Sequence, residues 1–328
     1  MMKGWLIMYN FQKPTIFLSK CLGIDSCRYN GQMITDTFVE SLKPYVNIIN
    51  VCPEMSIGLG VPRSPIRVVN ENDELKLFQP KTEKEFTKEM EDFSEAYLNN
   101  IKEIDGFILK SGSPSCGYKN VKVYNGTSKV TGSTKGAGIF GGKIIRKFPY
   151  APIEDEGRLY NYRIRDNFIM RIFMNADFRR VKESNSLKEL IKFQSRNKLL
   201  LMANSQKYMK ILGQIVANSE EKKIEVIIEE YERNLKLAFE KIPKYTNNIN
   251  VLTHAMGYFS KYITKEETKL IIDSLEKYKI GKLPISTPVL LVKSYAVRFN
   301  INYILEQTYF SPYPEELLFL EDSGKRNL

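Results

Sequence analysis

The chain has 328 residues, 43% of them hydrophobic, and carries 49 Lys and Arg against 38 Asp and Glu, for a formal charge of +11. That length is too great for one ordinary compact domain and suits two. Four cysteines, with neither a CxxC pair nor zinc-finger Cys/His spacing, exclude a disulfide scaffold and the common zinc modules. A single histidine, His254, removes the hydrolase and metal templates that need a second imidazole.

Reduced thiols point to a cytoplasmic protein. The start, Met1 to Tyr9, has one short apolar run, Trp5 to Tyr9, with no small-residue cleavage site. No run approaches the roughly 20 apolar residues of a membrane span, so a soluble protein is expected. The basic excess is spread, +5 over residues 1–150 and +6 over the remainder. It suits an anionic partner such as nucleic acid, or a well-solvated basic surface.

In chain order, the first apolar run, from Thr15 to Lys20, leads to Cys21. A loop from Gly23 to Gly31 and a helix from Met33 to Leu42 follow. The second run, Val46 to Val51, ends at Cys52, and Pro53 to Pro65 is rich enough in Gly and Pro to be a loop. Thr82 to Ile104 reads as a helix with Phe86, Met90, Phe93, Tyr97 and Ile101 on one stripe. The third run, Phe107 to Lys110, passes through Ser111-Gly112-Ser113-Pro114-Ser115 to Cys116. The order β-α-β-loop-α-β predicts an α/β domain with a parallel sheet.

Glycines at 126, 132, 136, 138, 141 and 142 suggest a flexible active-site loop leading into a helix. Gly136-x-Gly138 is too weak for a nucleotide fingerprint, because no strand directly precedes it. Phe148 to Ile153 reads as a linker. Beyond Asn161 the period becomes 3.6, with a stripe of Ile224, Ile227, Ile228, Tyr231, Leu235, Ala238, Phe239 and Ile242. Thr264 to Glu267 matches a capping box, and Gly281 with Pro284 closes that helix. The second domain is therefore expected to be an all-α helical bundle, with the division at 1–152 and 153–328.

Parallel strands share one carboxyl edge, where ligands of such folds bind. Cys21, Cys52 and Cys116 each follow a strand, so three distant thiols can converge as a three-cysteine iron–sulfur cluster would require. The alternative is three buried thiols packing as small hydrophobes. Each cysteine is flanked by small residues or proline, which lets backbone N–H groups approach a bulky inorganic group. His254 sits in an apolar helical context and reads as packed or surface, so any acid or base comes from a carboxylate, Lys, Tyr or Cys.

Cys21-Leu22-Gly23 with Arg28-Tyr29-Asn30-Gly31, Cys52-Pro53-Glu54 with Gly58-Leu59 and Val61-Pro62-Arg63-Ser64-Pro65, and Ser113-Pro114-Ser115-Cys116-Gly117 resemble the motifs of the thiouracil desulfidase family. The whole chain is similar to its two-domain members, the tRNA 4-thiouridine desulfidases, in which a desulfidase domain is fused to a YbgA-like helical domain. The resemblance implies an N-terminal parallel-sheet, Rossmann-like domain holding a 4Fe-4S cluster on Cys21, Cys52 and Cys116, with Glu54 and Ser113 beside its open iron. It implies a non-redox hydrolysis in which that iron binds a thiocarbonyl sulfur, Glu54 takes a proton from water, and Ser113 donates a hydrogen bond. Cys27 lies outside the family's ligand set and is expected to be a free or peripheral thiol; reaching the fourth iron, it would close the cluster.

Phe193 to Ser205 resembles the YbgA-like signature, except that Gln194, Asn197 and Asn204 stand where relatives commonly have His. The resemblance implies tRNA as partner, with Arg196, Lys198, Lys207 and Lys210 as candidate phosphate contacts or as an ordinary solvated face. Two other readings stay open: the same chemistry on free thiouracil or thiolated nucleotides, and a non-enzymatic iron–sulfur electron or sulfur carrier or RNA-binding adaptor.

Overall fold

The three apolar runs become neighbouring parallel strands in a computed structural model that describes residues 11–128, 132–218 and 222–318; the run Met1 to Tyr9 lies outside the described residues. The elements of the first unit are, in order, β1 (Thr15–Ser19), α1 (Thr37–Leu42), β2 (Asn47–Val51), α2 (Pro53–Ser56), β3 (Arg67–Glu71), β4 (Glu74–Gln79) and β5 (Lys84–Glu85). They continue with α3 (Thr87–Asn99), β6 (Gly106–Leu109), β7 (Val121–Asn125), β8 (Ser133–Gly136), α4 (Ile139–Lys147), β9 (Ile153–Asp155), α5 (Glu156–Leu159) and α6 (Tyr162–Ser184).

The main sheet has the order β2-β1-β6-β9, all parallel. Its central strands, β1 and β6, are buried on both faces, which is why they read as continuous apolar runs. Phe17 and Phe107 are fully buried, and Phe17 packs with Phe107, Phe140 and Tyr97 at ring separations of 5.7–6.2 Å. The chain leaves β1 for β2 on one side and returns to β6 on the other. In parallel sheets such a reversal, here at the carboxyl ends of β1 and β6, is where ligands bind.

A second sheet, β5-β4-β3-β7-β8, was not expected. Its β3–β4 hairpin turns at Asn72 and Asp73, both in the left-handed region at φ 55 and 64, as a two-residue hairpin requires. Charged residues on its open face hide the alternation of Val68, Leu75 and Leu77. The helix expected from Thr82 starts only at Thr87, because Lys84 and Glu85 pair with β4.

The segment taken as linker is also structural: Ile153–Asp155 pairs with β6, Phe107 opposite Ile153. The compact division falls at Ala176/Asp177, inside α6, rather than at residue 152. Ile172 of α6 sits where a Cβ on Gly106 of β6 would come within 2.6 Å, so this helix covers the sheet and belongs to its core.

The second unit, Asp177–Glu315, is helical. Its helices are α7 (Leu187–Arg196), α8 (Lys198–Asn204), α9 (Gln206–Ala217), α10 (Ile224–Ala238), α11 (Tyr245–Met256), α12 (Lys265–Lys279), α13 (Ser286–Arg298) and α14 (Asn302–Leu305). The expected stripe on α10 is buried at Ile227, Ile228, Tyr231, Leu235 and Ala238, and the capping box of α12 forms as Thr264 and Glu267 exchange hydrogen bonds. No described helix is long and apolar enough to cross a membrane.

Candidate active site

Register alone brings the thiol-bearing segments together. Ser19 of β1 lies opposite Val51 of β2, and Leu18 opposite Ile108 of β6. With strands about 4.8 Å apart, Cys21 and Cys52 follow adjacent strand ends, and Cys116 sits in the loop beyond β6. The Ser19 hydroxyl accepts the Lys110 N–H at 3.0 Å, tying β1 to β6 at that edge, and its side chain also meets the Cys116 thiol. All four cysteines are free; Cys27 and Cys116 are buried, and Cys21 and Cys52 half-buried.

Cys52 caps the start of α2, with Pro53 in the first turn, which places Glu54 inward. Glu54 is 8% exposed. Its Oε2 accepts from Arg63 Nε at 2.8 Å and pairs with the second guanidinium nitrogen at 2.7 Å, while its Oε1 accepts from Ser115 Oγ at 2.7 Å. Ser115 Oγ lies 3.0 Å from Ser113 Oγ. Ser113 Oγ also accepts the N–H groups of Ser115 (3.3 Å) and Cys116 (3.1 Å), fixing the turn that carries Cys116. Glu54 and Ser113 are thus joined through Ser115 instead of touching directly. Arg63 and Ser115 stood in the quoted motifs, but no role was read for them; a second polar residue beside the cysteine was the only signal.

The thiol protons are held firmly. Burial pushes the Cys116 thiol up to about 12, with smaller effects from Cys52 and Glu54. Interaction with Cys21 raises Cys27 to about 11, and Cys27 together with burial raises Cys52 further. Such neutral thiols are what crowding in a low dielectric produces, and a bound cation would reverse it.

Behind the Cys116 loop, the helix expected after the glycine-rich stretch is α4, and it acts as a clamp. A Cβ on Gly138 would meet the Ser115 and Pro114 carbonyl oxygens at 2.5 and 2.6 Å, and one on Gly141 the Gly117 and Cys116 oxygens at 2.4 and 2.5 Å. The N–H groups of Gly138, Ile139 and Gly141 instead donate to the carbonyls of Gly117, Pro114 and Ser115 at 2.7, 3.1 and 2.9 Å. These glycines are there for close approach. On the other side, Glu156 accepts from the Ser111 N–H and hydroxyl at 2.9 and 2.6 Å and pairs with Lys110. Gly112, at φ 65, takes the sharp turn between those anchors.

Cys27 is not peripheral. It is 2% exposed, its thiol interacts with those of Cys21 and Cys52, and its carbonyl oxygen lies 3.7 Å from Cys52 Sγ. Among the described residues, no group of three or more His, Cys, Asp or Glu side chains is arranged to hold a single metal ion. A polynuclear cluster spaces its thiolates more widely than one ion does. The donor set fits such a group: soft sulfur ligands on anchored loops, without imidazole, beside Gly58, Gly60 and Gly112, where a Cβ would meet nothing within 4 Å.

In the second unit the signature residues are internal ties. Gln194 accepts from Tyr231 Oη, and Asn197 accepts from Thr308 Oγ1 at 2.7 Å. Buried Gln307 joins the Leu199 N–H to the Ser195 carbonyl. Of the candidate phosphate contacts, Arg196 is engaged by Asp177 and lies over Phe193, whereas Lys198, Lys207 and Lys210 are exposed. His254 is exposed and packs edge-on against Tyr258.

Residues 16–156 match the family described as 2-thiouracil desulfurase, and residues 198–314 match a family described as a protein of unknown function, DUF1722. The chain is 35% identical over 130 residues to the uncharacterized protein YbbK of Bacillus subtilis, covering 36% of this chain and 83% of YbbK. It is 26% identical over 164 residues to the uncharacterized protein YbgA of Escherichia coli K12, covering 49% of this chain and 96% of YbgA. A solved structure of the 4Fe-4S-dependent thiouracil desulfidase TudS shares 27% identity over 45% of this chain and 93% of its own, with a TM-score of 0.37.

Proposed function

The chain belongs to the 2-thiouracil desulfurase family, and on that premise we propose that it hydrolyses the C=S bond of 4-thiouridine in tRNA, giving uridine and hydrogen sulfide, with a 4Fe-4S cluster held by Cys21, Cys52 and Cys116. The observation that carries this reading is the buried chain Ser113–Ser115–Glu54–Arg63 set against three thiol-bearing strand ends. An acid–base relay beside an all-sulfur donor set suits hydrolysis better than electron transfer, which needs no base.

When bound, the cluster supplies a soft Lewis acid for a thiocarbonyl sulfur. Water attacks the ring carbon, and the overall change, C=S plus water to C=O plus hydrogen sulfide, transfers no electrons. Glu54 is the proton acceptor. Both its oxygens are already bonded, so the proton reaches it through Ser115, whose hydroxyl gives its own proton to Oε1 as it takes another from the Ser113 side. Arg63 keeps Oε2 anchored and compensates the buried charge. Ser113, held by two backbone N–H groups, points its hydroxyl proton at Ser115, whose own proton is given to Glu54, and takes up the water proton as it passes that one on.

The +11 charge and the exposed lysines of α8 and α9 support a polyanionic substrate. The base must leave its stack to reach the site, at a cost of a few kcal/mol that backbone contacts offset. Anaerobic purification with iron and sulfide analysis, followed by incubation with thiolated tRNA or free 4-thiouracil, tests the reading. The expected result is sulfide release from tRNA that weakens steeply with added salt, and a far flatter salt response for the free base. Turnover of the free base alone would transfer the assignment to small thiouracils; sulfide release from neither would overturn it.

A further inference from the structure

The open face of the second sheet carries a row of cations that no carboxylate meets. Register sets Arg67 of β3 beside Lys122 of β7, and Lys122 directly opposite Lys135 of β8. At about 4.8 Å per strand the row spans roughly 10 Å. Val68, Val121 and Val123 turn inward to the core, which leaves Arg67, Lys122 and Lys135 on the outer face. Lys122 and Lys135 are exposed, and neither has a hydrogen-bond or ion-pair partner among the described residues. Arg67 lies over the Tyr124 ring at 4.9 Å and gives its guanidinium to the neutral carbonyls of Thr127 and Ser128. Glu71 and Glu85 are engaged at the other flank of the face, where Lys76 lies 2.6 and 3.8 Å from them.

Like charges directly opposite on paired strands oppose folding. Lysines on edge strands guard a sheet against pairing with another, and β8 is an edge strand, which accounts for Lys135. It does not account for Lys122, whose strand lies between β3 and β8. The row also stands where the sheet joins the candidate site. Arg67 opens β3 four residues after Arg63, Lys122 lies at the start of β7 six residues after Cys116, and Lys135 comes three before Gly138, which packs on the Cys116 loop. Among the described residues, Leu75 is the only exposed large apolar side chain of this sheet, so the face has charge without the apolar anchors of a membrane surface.

We propose that Arg67, Lys122 and Lys135 form an RNA phosphate contact belonging to the desulfidase unit, which seats the sugar–phosphate backbone flanking the nucleotide whose base enters the site. The inference deepens the tRNA reading given above and rests on it. A polyanion supplies the counter-charge that the row lacks, and strands that run into the site's own loops fix that backbone relative to the thiols. Phosphate contacts position a nucleic acid without reading its sequence, which suits two lysines and an arginine held flat on a tyrosine.

Binding of unmodified tRNA to the full chain is measured by fluorescence anisotropy over a series of salt concentrations. The double variant Lys122→Ala with Lys135→Ala is compared with wild type and with Lys122→Arg plus Lys135→Arg. A control, Lys88→Ala with Lys277→Ala, removes the same charge from i,i+4 pairs elsewhere. The alanine pair is expected to bind about 10-fold more weakly and to lose about 2 from the slope of log K against log salt, while the arginine pair and the control keep the wild-type slope. Because it relieves a like-charge opposition, the alanine pair is expected to unfold in urea no earlier than wild type, so lost binding is not lost folding. An unchanged slope, an equal loss in the control, or an earlier urea midpoint overturns the row alone. So does lost binding to phosphatidylserine vesicles with tRNA binding intact, which would assign the row to a membrane surface. A wild type that does not bind tRNA overturns both the row and the tRNA reading beneath it.

Discussion

Replacing Arg63 by Met tests whether the Glu54 carboxylate is held by one buried partner. The Arg63 side chain is 4% exposed and that of Glu54 11%. The guanidinium serves Glu54 Oε2 and the carbonyls of Gly60 (2.8 Å) and Cys27 (3.0 Å). Its removal leaves Glu54 charged with only Ser115 to bond, and two carbonyls without that donor. Breaking one side of a buried pair costs about 3–5 kcal/mol. With a urea dependence of about 2 kcal/mol per molar, the unfolding midpoint is expected to fall by roughly 2 M. Far-UV circular dichroism in urea reads this, alongside the double variant Arg63→Met with Glu54→Gln, which removes the stranded charge and should recover a large part of the loss. A loss below about 1 kcal/mol for Arg63→Met, a size typical of an exposed pair, would refute the reasoning.

Ser115→Ala cuts the link between Ser113 and Glu54 while leaving every cysteine in place; sulfide release is expected to fall about 100-fold at unchanged iron content, and a retained rate would remove Ser115 from the relay. Gly141→Ala drives a methyl group into the carbonyls of Gly117 and Cys116; a loss of about 1–3 kcal/mol is expected in urea, together with faster alkylation of Cys116, and unchanged alkylation would show that α4 does not clamp that loop. For Glu156, burial raises the carboxyl, but bonds from Lys110 and Ser111 outweigh it and hold it below the ordinary 4.5. A depressed folded value stabilises the fold fully above pH 4.5 and is lost as pH falls through the lowered value. Glu156→Gln should therefore be less stable than wild type at neutral pH, with the gap closing in acid; a gap independent of pH would contradict the assignment.

What the sequence disclosed follows from burial. β1 and β6 were legible because a central parallel strand must be apolar on both faces, and Phe17, Ile108 and Leu109 are all within 1% of full burial, while β2, at the edge, still reads as an apolar run through Ile48, Ile49 and Val51. The second sheet escaped because β4, reading Glu-Leu-Lys-Leu-Phe-Gln, buries only alternate positions, and half its letters suit a solvated loop. The thiols were conspicuous by chemistry and by their place after strands. Ser115 and Arg63 were not, because each acquires its role from a contact that spacing does not encode: Ser115 meets Glu54 across 61 positions, and Arg63 meets it from a loop that sequence shows only as Gly and Pro. Cys27, expected as a free or peripheral thiol, is free, but its burial escaped the sequence for the same reason. Its neighbours in sequence are Ser26 and Arg28, but its neighbours in space are two other thiols.

The hidden sheet and the site prove to be one construction. Arg63 enters from the segment Val61 to Pro65, which runs directly into β3 at Arg67. The Ser64 carbonyl in that segment accepts from Gln79 Nε2 at 2.7 Å, at the end of β4, and Gln79 Oε1 in turn accepts from Thr82 Oγ1 at 2.7 Å. Gln79 is 6% exposed, a buried amide whose oxygen and nitrogen are both engaged. Buried amides are retained where their bonds fix geometry, since an unpaired one costs about 1–3 kcal/mol. The β3–β4 hairpin therefore holds the loop that carries the guanidinium to Glu54 and to the Cys27 carbonyl. A parallel sheet alone delivers three cysteines to one edge, but the carboxylate beside them acquires its counter-charge only because a second, polar-faced sheet delivers Arg63.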